Sequence, residues 1–94
     1  MNKSRKSRGA FFVINDKGLH TRPSAELVKC ATHFKSQVNL SCRSSTVNAK
    51  SILGVLMLAA EKGTKILVEA EGDDADKAVQ AITSLAKRGF NVRY

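Results

Sequence analysis

The sequence predicts an α+β fold: an open-faced two-layer sandwich in which a four-stranded antiparallel sheet carries three helices on one face, in the order β-α-β-β-α-β-α. Short runs with period-two or β-branched patterning alternate with longer runs of helical spacing. Together they make two split strand-helix-strand units with a trailing helix. Ninety-four residues allow one hydrophobic core of two layers and not two cores.

The first strand is expected at Phe11-Phe12-Val13-Ile14, an aromatic and β-branched run closed by Asn15-Asp16-Lys17-Gly18. Pro23 suits the first turn of a helix, where its missing N–H has no partner to lose. Ala25, Leu27, Val28, Ala31 and Phe34 then recur near helical spacing over about three turns. Val38, Leu40 and Cys42 alternate with polar residues as a second strand. Arg43-Ser44-Ser45 turns the chain, and Thr46-Val47-Asn48 returns as a short third strand. Ser51 is a good N-cap for an apolar helix from Ile52 to about Ala60, which Glu61-Lys62-Gly63-Thr64 breaks. Lys65 to Ala70 alternates as a fourth strand. Gly72-Asp73-Asp74 opens the last helix, whose Ala75, Ala78, Val79, Ile82 and Leu85 share one face, and Gly89 closes it. Phe11, Phe12 and Phe34 are expected as the larger core fillers.

Composition narrows the function classes without choosing one. The chain is 43% hydrophobic and 26% charged, with one proline, a globular rather than a disordered profile. Net charge is +8, and Lys3, Arg5, Lys6 and Arg8 crowd the first eight positions. Residues 1–8 are therefore expected to be a basic, disordered tail ahead of one domain over 9–94. A basic surface attracts acidic proteins, nucleic acid or anionic membranes alike. No run approaches the roughly 20 apolar residues needed to span a bilayer, and Ala10 to Ile14 is shorter than a signal-peptide core. A cytoplasmic protein with reduced Cys30 and Cys42 is expected. Those cysteines with His20 and His33 lack the paired short spacings of a zinc site, so no metal and no cofactor is expected.

Gly18-Leu19-His20-Thr21-Arg22-Pro23-Ser24-Ala25 is the run that can carry chemistry. It places a histidine just before a helix, where free N–H groups and the positive end of the helix dipole bind anions. A neutral imidazole there can attack as a nucleophile. Once phosphorylated it presents a dianion to those same N–H groups, and Arg22 offers a planar cation to the phosphoryl oxygens. Gly18, Thr21 and Pro23 shape the helix start. Spacing alone leaves the alternative open, with His20 a capping residue and Arg22 a surface charge. His33, with no arginine or glycine beside it, reads as an exposed helix-end histidine.

That run resembles the active-site signature of HPr, the histidine-containing phosphocarrier family of the bacterial sugar phosphotransferase system. Val47-Asn48-Ala49-Lys50-Ser51-Ile52-Leu53-Gly54-Val55 is similar to the segment around that family's regulatory serine. Gly63-Thr64 and the run from Ala70 to Val79 give a third match, in the family's order, and the similarity covers about Phe11 to Leu85. The resemblance implies that His20 is the phosphoacceptor, through its δ1 nitrogen, and Arg22 its charge partner. It implies that Ser51 is the site of a serine kinase/phosphorylase and that Ile52, Leu53 and Leu56 dock partners. Those partners would be the general phosphotransferase enzyme and sugar-specific IIA components, with the chain a co-substrate and not an enzyme. Lys17 departs from the small polar residue usual at its place, and could alter the loop or attract the phosphate. The basic start and the ending Lys87 to Tyr94 are also unusual.

Ile52 to Leu58 is apolar nearly all round, as in a fully buried helix. A two-layer domain cannot cover every face, so Val55, Leu58 and Ala59 are assigned to the core. Ile52, Leu53 and Leu56 are left as an exposed patch for docking. A monomer fits a shuttle that shows its site to successive partners. Two other functions compete. One is a regulatory homologue with no transport role. The other is nucleic-acid binding, because Lys87-Arg88-Gly89-Phe90 is similar to part of an RNA-recognition signature. That signature belongs on a central strand, not after the last helix, and the chain has few aromatics to stack bases.

Overall fold

The structure, a computed structural model, describes residues 5–92. Among them the order is β1 (Lys6–Phe12), α1 (Thr21–Thr32), β2 (Gln37–Cys42), β3 (Ser45–Asn48), α2 (Ile52–Met57), β4 (Lys65–Glu71) and α3 (Ala75–Lys87). A single 3-10 turn, Gly89–Asn91, follows. The sheet is antiparallel throughout, with spatial order β1-β4-β2-β3. The strand-helix order and the open-faced sandwich are those the sequence predicts.

The side-chain alternation in β4 shows how the layers form. Ile66, Val68 and Ala70 are buried, while Lys65, Leu67, Glu69 and Glu71 face outward. Val38 and Leu40 of β2 join the buried face, and α1 and α3 close over it with Leu27, Ala31, Ala75, Ala78 and Ile82. Each aliphatic side chain taken fully out of water contributes about 1.5–3 kcal/mol.

The first strand differs from expectation. It begins at Lys6 and ends at Phe12, pairing Lys6 with Glu71, Arg8 with Glu69 and Phe12 with Lys65. Lys6, Ser7 and Arg8, assigned to the tail from sequence, are thus strand residues; residues 1–4 lie outside the described ones. The outward Lys6 and Arg8 lie opposite Glu71 and Glu69 across the strand pair, with Arg8 Nε 2.9 Å from Glu69 Oε2. Opposite charge and ladder hydrogen bonds replace the apolar residues that a strand search looks for.

Three further placements are corrected. Phe12 points away from the core and is 59% exposed, because period two puts it opposite Phe11. Ala25 is exposed and Ser24 is the buried neighbour. Helix α2 stops at Met57, not near Ala60, and Ala59 takes a left-handed φ of 48° outside the core. Phe90 is the large filler that the sequence reading missed. It is fully buried and meets Phe11 edge to face, with ring centres 5.7 Å apart.

Candidate functional site

The loop between β1 and α1 is clamped at several points before it reaches His20. Val13 N–H donates to the Thr64 carbonyl and Gly63 N–H to the Val13 carbonyl, at 2.9 and 2.7 Å. Gly18 N–H donates to the Asn15 carbonyl and Leu19 N–H to the Ala60 carbonyl, both at 2.9 Å. Gly18 needs to be glycine. Its φ is +72°, and a Cβ there would collide with the Ala60 carbonyl oxygen. Asn15 is buried and its Nδ2 donates to the Gly89 carbonyl at 2.9 Å, tying this loop to the end of α3.

His20 follows as the N-cap of α1, with φ −74° and ψ −174°. Its carbonyl accepts from Ser24 N–H at 2.9 Å, while the buried Ser24 Oγ donates to the Leu19 carbonyl at 3.0 Å. Pro23 is buried and offers no N–H. The amides of Thr21 and Arg22 are therefore the donors this helix end leaves for an anion. The His20 ring is exposed and makes no capping hydrogen bond. A cap whose side chain does no capping is available for something else.

Thr21 and Arg22 are exposed on the first turn, and among the described residues no ion pair holds Arg22. The structure thus brings Gly18, His20, Thr21, Arg22 and Pro23 together at one helix mouth, as adjacency in sequence requires. Beside the ring lies a shallow depression of about 240 Å³. Its walls come from Lys17, Leu19 and Thr21 on one side and Leu56, Ala59, Ala60 and Glu61 on the other. Helix α2 is therefore a neighbour of the histidine, which sequence separation hides.

Ser51 caps α2, its Oγ accepting from Gly54 N–H at 3.1 Å. Val55 and Leu58 are buried. The outward apolar residues are Leu53 at 70% exposure, Met57 at 80% and, less so, Ile52, while Leu56 is half-buried against the depression. Met57 was missed, although its i, i+4 relation to Leu53 puts both on one face. His33 is exposed at the far end of α1, where its Nδ1 lies 2.8 Å from the Lys29 carbonyl. The run Lys87 to Phe90 offers no base-stacking surface, since its aromatic ring is buried in the core. No helix among the described residues is long and apolar enough to cross a membrane.

The chain is similar over most of its length to known phosphocarrier proteins. The sequence family described as "PTS HPr component phosphorylation site" matches residues 8–88. The phosphocarrier protein HPr of Xylella fastidiosa (strain Temecula1) is 46% identical over 79 residues, 84% of this chain and 89% of that protein. HPr of Neisseria meningitidis serogroup A is 47% identical over 78 residues, 83% of this chain and 88% of that protein. The crystal structure of HPr from Thermoanaerobacter tengcongensis superposes with a TM-score of 0.88 at 34% identity, covering 94% of this chain and 99% of that one.

Proposed function

The chain belongs to the HPr phosphocarrier family of the phosphotransferase system, and from that premise we propose that it accepts a phosphoryl group on His20 and passes it on to acceptor proteins. The observation that carries this reading is the exposed His20 ring at the mouth of α1, beside two unmatched amides and free of any capping bond. In transfer, the N–P bond to a His20 ring nitrogen forms as the donor's bond to phosphorus breaks, and the reverse occurs on delivery. The Thr21 and Arg22 amides and the Arg22 guanidinium steady the three phosphoryl oxygens. The chain is a carrier that is itself modified, not a catalyst.

The donor in this reading is the general phosphotransferase enzyme and the acceptors are sugar-specific IIA components, in the cytoplasm. Leu53, Met57 and Ile52 give them an apolar contact, and Leu56 carries that surface to the histidine. Alignment of two reactive groups demands such a contact. Phosphorylation of Ser51 by a serine kinase would put about two negative charges beside this patch while keeping the helix N-terminus intact. Docking would weaken and the fold would persist.

Incubation with phosphoenolpyruvate and the general phosphotransferase enzyme tests the proposal. Intact mass should show one acid-labile phosphate, absent in His20→Ala. Arg22→Ala should be phosphorylated roughly tenfold more slowly or worse with an unchanged circular dichroism spectrum. Ser51→Asp should accept more slowly than wild type; an equal rate would remove the regulatory part. Labelling of His20→Ala to the wild-type level would remove the whole.

A further inference from the structure

We infer that Lys17 and Glu61 together set how tightly the phosphoryl group is held on His20, Lys17 favouring the phosphorylated form and Glu61 opposing it. The inference rests on the acceptor role proposed for His20. Both residues line the depression beside His20, Lys17 from the loop ahead of α1 and Glu61 from the loop ahead of β4. Arg22 is not among its walls. Lys17, rather than Arg22, shares this depression with the ring.

The two loops cannot drift apart freely. Leu19 N–H to the Ala60 carbonyl, Val13 N–H to the Thr64 carbonyl and Gly63 N–H to the Val13 carbonyl join them. One basic and one acidic residue therefore border the same small basin. Lys17 and Glu61 are both exposed, so each charge acts through solvent and its effect is modest and sensitive to salt. A phosphoryl group on the neighbouring ring brings close to two negative charges. Lys17 stabilises that state more than the unphosphorylated one, and Glu61 destabilises it. Lys17 thus makes His20 a better acceptor and a poorer donor, and Glu61 does the reverse. Their balance places the carrier between its donor and its acceptors.

Equilibrium exchange measures this directly. ¹⁵N-labelled wild type and an unlabelled variant are mixed with limiting phosphoenolpyruvate and a trace of the general phosphotransferase enzyme. One N–P bond then forms as another breaks, and intact mass reads the distribution. Lys17→Gln should hold about fivefold less phosphate than wild type, and Glu61→Gln about fivefold more, both ratios approaching one in high salt. Lys17→Arg should stay near one. Lys62→Gln, which removes a neighbouring cation that pairs with Asp16 at 2.9 Å and lies outside the depression, should also stay near one. Even distribution for both Lys17→Gln and Glu61→Gln overturns the inference and leaves the acceptor role standing. A Lys62→Gln shift equal to that of Lys17→Gln overturns it as well, by reducing it to general surface charge. Absence of any phosphate on wild type, with the enzyme active on another acceptor, removes the acceptor role and this inference with it.

Discussion

At Gly18 one backbone angle and one neighbouring oxygen decide whether the site can form. A side chain there must adopt a left-handed φ and push against the Ala60 carbonyl, which itself accepts from Leu19. Gly18→Ala should cost about 3 kcal/mol in urea unfolding, and should slow phosphorylation by shifting His20 relative to the α1 amides. Unchanged stability would mean that the loop relaxes without the Leu19–Ala60 bond. His20, Arg22 and Gly18 were legible in sequence because adjacent residues at a helix start stay adjacent in space. Glu61 was not, since only folding brings position 61 beside position 20. Cys30 is also settled at this scale. Burial raises its thiol pKa, with the Arg88 guanidinium pulling partly the other way, so it is a poor nucleophile near neutral pH.

Between elements, Asp74 joins α3 to the segment between α1 and β2. Read from sequence it belongs to an acidic helix start, yet its carboxylate makes no cap bond to α3. It accepts instead from Lys35 N–H and Ser36 N–H, both at 2.9 Å, and from Ser36 Oγ. The Ser36 hydroxyl first, then the Lys35 amide, holds its pKa at about 2, below the ordinary 3.8. The sign follows from linkage. Above about pH 4 the carboxylate is ionised in both states and its stabilisation is complete. As pH falls toward 2 the unfolded chain takes up the proton first, and the contribution is lost. Asp74→Asn should therefore lower the Tm at pH 7, and the gap to wild type should narrow between pH 4 and 2 in thermal scans. A gap independent of pH would assign the effect to packing instead. Helix α2 teaches a related lesson. Its composition marked it as apolar all round, but which residues face water depended on where it ended, and the left-handed Ala59 ended it early.

Across the whole molecule, the first strand and the turn after the last helix close the core together. Phe11 on the first strand meets Phe90 after the last helix, and Asn15 holds the Gly89 carbonyl beside them. Gly89 at φ 62° ends α3, and an apolar residue just after such a glycine commonly turns back onto the helix it closes. Phe90→Ala should cost about 3–5 kcal/mol and lower the Tm by more than about 15 °C, a large share of a domain's total stability. A loss under about 1 kcal/mol would show that the closing turn is dispensable. By itself the sequence determined the element order, the class of fold and the helix mouth that carries the histidine. Periodicity, caps and neighbouring residues are local properties, and a linear reading holds them. The start of β1, the burial of Phe90, the outward turn of Met57 and the placing of Lys17 and Glu61 around one depression with His20 were decided only by tertiary structure. Each depends on which distant segment comes to lie alongside, and that is chosen by the packing of the entire core.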